Sequence, residues 1–167
     1  LIGLKIAEML VENQDDLLVP VNQVAHVRED NKLDHALLVL TNVGFSVIPV
    51  LDNQSQLKGL ISMPAIIRAV TGIKDIHFEK LNEIEVRDIM DTEIASLREP
   101  YELEDILHHV VSNAFVSIVN KEGIFQGIIT RSGILKGTNR IAHEFEKKYE
   151  VLSREERVTE KQSHGTI

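Results

Sequence analysis

The sequence predicts an α/β fold of the α+β kind: two β-α-β-β-α repeats that pack as one pseudo-symmetric module. Two observations carry this. The chain repeats itself internally, and its 43% apolar content includes only 4% aromatic residues and no Trp, so Leu, Ile and Val must build the core. Val24 to Glu29 and Leu33 to Leu40 align with Ile94 to Glu99 and Leu103 to Val110 at a constant offset of 70. Pro49-Val50-Leu51-Asp52 and Gly59-Leu60-Ile61-Ser62 align with Ser117 to Asn120 and Gly127 to Thr130 at an offset of 68. The second copy is therefore two residues shorter near its helix–strand corner.

Each copy opens on a short alternating strand near Val24 or Ile94. A helix follows: Leu33, Ala36, Leu37 and Leu40 share one helical face, and Gly44 can end the helix in the left-handed conformation that other residues resist. Phe45 to Leu51 then runs nearly continuously apolar, as a strand buried on both faces does. Asp52 to Gln56 is turn chemistry, Leu57 to Ile61 is the next strand, and Ser62 stands where a helix N-cap belongs. In the second copy Phe115 to Val119, Phe125 to Ile129 and Thr130 repeat these roles, with Phe45 and Phe115 taken as occupants of one position.

The expected boundaries are residues 15–72 for the first repeat, 73–85 for a charged and partly helical connector, and 86–138 for the second repeat. Residues 139–152 form an amphipathic helix on which Ile141, Phe145 and Tyr149 recur every fourth position, and 153–167 a polar tail. That stripe either packs on its own domain or seals a homodimer.

Composition excludes several functions. With 18 Lys+Arg against 26 Asp+Glu, the net charge of −8 repels nucleic acid and anionic membrane surfaces unless basic groups are focused locally. The absence of Cys removes disulfides, thiolate metal sites and thiol nucleophiles, and agrees with a reducing compartment. No stretch approaches the ~20 apolar residues of a membrane span, and no basic region followed by an apolar run opens the chain. The expectation is a soluble, cytoplasmic protein that contacts neither nucleic acid nor membrane. No nucleophile elbow, Gly-rich phosphate loop ending in Lys-Ser/Thr, or His-Glu-x-x-His pattern occurs, so neither catalysis nor a metal is expected.

A β-α-β-β-α unit whose strands end in Pro-Val-Leu-Asp and in Gly-(Leu/Ile)-Ile-(Ser/Thr) resembles the CBS domain, and two copies carry the pattern in register across roughly residues 15–140. That resemblance implies a pair of repeats packed through their sheets, a Bateman module, with adenine nucleotides bound in the cleft between them. Gln23 to Val27, His35 to Thr41 and Gly127 to Arg131 more closely resemble the small stand-alone CBS proteins of Gram-positive bacteria that bind cyclic di-AMP, the CbpB/DarB type. The resemblance implies a non-enzymatic second-messenger sensor without a cofactor, and a homodimer is expected. The resemblance also implies regulation of a partner, a Rel-type (p)ppGpp synthetase/hydrolase of the stringent response.

Carried over residue by residue, the family's site falls on Gln23, Ala25, Phe45, Ser46 and Val47 of the first repeat and on Thr130 and Arg131 of the second; Val24, Ile48 and Pro49 are expected to line the apolar slot for the base, and Ile129 and Ser132 complete the candidate site. Thr130 and Arg131 stand at a strand-to-helix junction, where unpaired N–H groups and the positive helix end favour a phosphate and Arg adds a planar fork of donors. Read without the family, the same residues are a cap and a surface charge. Phe45 is either a stacking platform for adenine or part of the core. The first-repeat counterpart, Ser62-Met63-Pro64, lacks the Arg and one N–H, so one principal site is expected. CBS pairs that hold linear nucleotides place an Asp three residues after the Ser/Thr to grip the ribose diol. Here Ala65 and Gly133 occupy those positions, which disfavours AMP or ATP and suits a cyclic dinucleotide that has no free vicinal diol. An AMP/ATP energy sensor and a ligand-free interaction module remain the alternatives.

Overall fold

The computed structural model describes residues 17–148. Strand β1 (Leu18–Pro20) leads through a 3-10 turn (Val21–Gln23) to β2 (Val27–Arg28), helix α1 (Leu33–Val43), β3 (Val47–Leu51), β4 (Leu57–Ser62) and α2 (Met63–Val70). The connector holds a 3-10 turn at Phe78–Asn82, and a second at Val86–Asp88 opens the second repeat. It leads to β5 (Ser96–Arg98), α3 (Leu103–Ser112), β6 (Phe115–Val119), β7 (Phe125–Thr130) and α4 (Arg131–Lys148). The expected order of elements is thus present twice. None of the described helices is long and apolar enough to cross a membrane.

Local sequence explains the helix ends. Gly44 closes α1 with φ of 70°, in the left-handed region. The Ser62 hydroxyl accepts a hydrogen bond from the Ala65 N–H at 3.3 Å and the Thr130 hydroxyl one from the Gly133 N–H at 3.0 Å, so both caps lie where the repeat puts them. Two spans differ from expectation. Strand β3 begins at Val47, leaving Phe45 and Ser46 in the turn before it. Helix α4 continues through residue 139 without a break, so the second-repeat helix and the terminal helix are one. Ile141 of its stripe is buried and Phe145 half-buried; Tyr149 and the polar tail lie outside the described residues.

The sheets exchange strands between repeats. One sheet has the order β2-β3-β4, and the other β1-β7-β6-β5. Although β1 lies at the start of the first repeat, it completes the sheet of the second, pairing antiparallel with β7 in the register Val19↔Ile128. Reciprocally, Asp91, near the start of the second repeat, forms a two-way backbone bridge with Leu60 of β4, at 2.8 and 2.9 Å. The turns meet as well, with the Phe125 N–H donating to the Ser55 carbonyl at 2.9 Å.

Packing follows this exchange. Leu33, Ala36, Leu40, Ile48, Val50, Ile61 and Ile66 form the core of the first repeat; Ile106, Val110, Val116, Ile118, Ile129 and Ile134 form that of the second. A third cluster of Val24, Leu51, Phe115, Phe125 and Ile128 draws on both repeats and joins the two sheets. Burying this seam opposes separation of the halves, because apolar area returned to water costs about 25 cal/mol per Å².

Register corrects one correspondence. Phe115 lies opposite Thr130 as Val47 lies opposite Ser62. The counterpart of Phe115 is therefore Val47, and Phe45 falls two residues earlier, level with Asn113. The two missing residues of the second copy sit at this corner, so the helix offset of 70 no longer applies where the strand begins.

Candidate functional site

Two connected recesses occupy the seam where β3 and β7 approach the start of α4. A wide cleft of about 750 Å³ is lined by Phe45, Ser46, Val47, Ala114, Phe115, Thr130, Arg131, Ser132, Leu135, Lys136 and Asn139. A narrow cavity of about 130 Å³ runs inward between Val19, Gln23, Val24, Ala25, Ile48, Pro49 and Ile128, and shares Phe45, Val47, Phe115 and Thr130 with the cleft. Its walls are almost wholly apolar, as a slot for a flat heterocycle needs to be.

Eleven of the twelve residues singled out from sequence line one recess or the other. The exception is Ile129, only 2% exposed, whose side chain packs into the second-repeat core because alternate residues of a strand face opposite ways. Phe45 is 55% exposed and stands free at the mouth of both recesses, whereas Phe115 is buried in the seam and shows one edge to them. Sequence reasoning missed Leu135, Lys136 and Asn139. They recur with Arg131 and Ser132 along one stripe of α4, a signal the 3.6-residue period contains; only Asn139 falls beyond the expected break.

Charge in the cleft is opposite to that of the chain. The lining of both recesses includes Arg131 and Lys136 but no Asp or Glu, in a protein of net charge −8. The Arg131 guanidinium is held in place: Nε donates to the Val110 carbonyl at 2.8 Å, and Nη2 reaches the Val111 carbonyl at 3.4 Å. These carbonyls lie at the negative end of α3, where a cation is favoured. Of the five guanidinium N–H groups this leaves three for a ligand. Thr130 is likewise divided, since its oxygen accepts from Gly133 N–H while its O–H proton remains available to an anion.

The first-repeat counterpart is apolar. Met63 packs against the first-repeat core, and Pro64 contributes no N–H. Ser117, at the strand position matching Pro49, is fully buried, and its Oγ has no hydrogen-bond partner among the described residues.

Comparison with known proteins identifies the architecture. The family model of the CBS domain matches twice, at residues 15–72 and 86–138. The chain belongs to the CBS domain family. Among curated relatives of this CBS pair, cyclic di-AMP receptor B of Bacillus subtilis is 38% identical over 140 residues, spanning 84% of this chain and 95% of the relative. Among solved structures, CbpB of Listeria monocytogenes in complex with c-di-AMP is 43% identical, with a TM-score of 0.72 over 77% of this chain and 96% of that one. CbpB from Streptococcus agalactiae superposes with a TM-score of 0.81 at 27% identity, covering 92% and 96% of the two chains. The tandem CBS architecture thus stands on both the structure and its relatives.

Proposed function

We propose that this CBS pair is a non-enzymatic sensor that binds cyclic di-AMP in the cleft bounded by Phe45, Thr130 and Arg131. The observation that carries this reading is the charge of the cleft: the Arg131 guanidinium and Thr130 hydroxyl at one end, Lys136 further along the wall, an apolar slot behind, and no lining carboxylate. A purine enters the narrow cavity beside Ala25 and Pro49. Its phosphate meets the Thr130 hydroxyl, the Ser132 N–H in the first turn of α4 and the free edge of Arg131, the Arg131 and Gly133 backbone N–H groups being held by the Ala114 carbonyl and the Thr130 hydroxyl. Gly133 offers its N–H to the Thr130 cap and no side chain to a ribose, so the grip that a linear nucleotide would need is missing. The names of the relatives point the same way.

Binding then alters which partner the protein holds. The resemblance names a Rel-type (p)ppGpp synthetase/hydrolase as the candidate to test, with the sensor acting as a cytoplasmic homodimer. Calorimetric titration of the full chain with cyclic di-AMP, AMP and ATP tests the ligand. Tight binding of the cyclic dinucleotide alone, weakened in Arg131→Ala, supports the reading. Preference for AMP or ATP would overturn the diol argument, and absence of all binding would favour an interaction module whose pocket is vestigial.

A further inference from the structure

Five residues of α4 line the wide cleft, Arg131, Ser132, Leu135, Lys136 and Asn139, at spacings that keep them on one side of the helix. At 1.5 Å per residue this wall is about 12 Å long. One phosphate at the Thr130 junction uses only its beginning. Lys136 lies more than one turn further on. It is exposed, and it forms no ion pair or hydrogen bond with any described residue, whereas Arg131 already spends two donors on α3. An unpaired ammonium on the wall of a cleft without carboxylates, in an acidic protein, is poised for a second anion. It also stands at some distance from the first.

Resting on the cyclic di-AMP reading, we propose that Lys136 receives the second phosphate of the ligand and so determines preference for a two-phosphate ring over a single-phosphate nucleotide. Thr130 and Arg131 would hold one phosphodiester at the helix start, and Lys136 would meet the opposite one at the open mouth of the cleft. Lys136 is then a specificity residue rather than an anchor: a ligand with one phosphate gains nothing from it.

The test compares wild type, Lys136→Met and Lys136→Arg by calorimetry with cyclic di-AMP and with AMP, at low and high salt. Lys136→Met keeps the apolar stem and removes the charge, and an exposed site on a helix tolerates it; ligand-free thermal unfolding checks the fold. We expect cyclic di-AMP affinity to fall about tenfold in Lys136→Met, the size of one charge-assisted hydrogen bond, and to return within about twofold in Lys136→Arg. The deficit should shrink at high salt, which a purely structural effect would not do. AMP binding should be unchanged. If wild type binds cyclic di-AMP and Lys136→Met binds it equally well, the role of Lys136 is refuted while the ligand assignment stands. If Lys136→Met weakens AMP as much as cyclic di-AMP, the role in discrimination is refuted. If wild type does not bind cyclic di-AMP at all, both proposals fall together.

Discussion

The Val19 carbonyl oxygen occupies the space a side chain on Gly127 would need, lying 2.1 Å from the ideal Cβ position of that glycine. Gly59, the equivalent residue of the first repeat, stands in the same relation to the Asp91 carbonyl at 2.6 Å. Both glycines sit where backbone from the other repeat is added to the sheet edge, as strand β1 at Gly127 and as the single Asp91 bridge at Gly59. The motif Gly-(Leu/Ile)-Ile-(Ser/Thr) begins with Gly in both copies because backbone, rather than a side chain, fills that space.

Gly127→Ala is therefore expected to destabilise the protein by about 3 kcal/mol, at the upper end of overpacking, because the obstructing atom is backbone and cannot rotate away. Thermal unfolding should show Tm lowered by about 5–10 °C. An unchanged Tm would mean that β1 can shift along β7 at little cost.

Thr130 serves the fold and the ligand through different atoms, so its substitutions should separate the two. Thr130→Ala is expected to cost about 1 kcal/mol through loss of the α4 cap and, in addition, to weaken cyclic di-AMP binding. Thr130→Ser should preserve both. Chemical denaturation and calorimetry on the two variants check this, and equal damage by Ser and Ala would remove the hydroxyl from the argument.

Phe45 and Phe115 are expected to behave oppositely despite sharing the recess. Phe45→Ala, at an exposed position, should change stability by no more than about 0.5 kcal/mol yet weaken the ligand by loss of stacking. Phe115→Ala should cost about 3–5 kcal/mol, because it hollows the seam between the sheets. Denaturant titration with parallel binding measurements distinguishes them.

Ser117 has a fully buried hydroxyl with no partner among the described residues. Leaving such a group unsatisfied costs about 1–3 kcal/mol. Ser117→Ala should consequently raise the midpoint of urea unfolding by the equivalent of about 1 kcal/mol, after allowance for the small void it leaves. A lowered midpoint would indicate that the hydroxyl is satisfied in the folded protein.

Much of the site was legible in the sequence because it is built from local signals. Thr130 and Ser62 declared themselves as caps, and Phe45 to Pro49 formed an apolar run beside a helix stop; capping and periodicity depend on near neighbours. Lys136 and Asn139 were illegible for a physical reason. Asn139 joins the site because α4 continues past the expected break, and both join it because Phe45 of the other repeat lines the same cleft.

By itself the sequence determined the repeat, its β-α-β-β-α order, both helix caps, the missing Asp at positions 65 and 133, and the residues suited to an anion at the start of α4. Each is a property of composition or of neighbours within a turn. Only the tertiary structure decided that β1 and Asp91 cross to the opposite repeat, that Phe115 corresponds to Val47 rather than Phe45, and that Arg131 is braced on the carbonyls of Val110 and Val111. Those are contacts between residues far apart in the chain. They are selected by whichever packing buries the shared Val24–Phe115–Phe125 seam, and no local pattern encodes that choice.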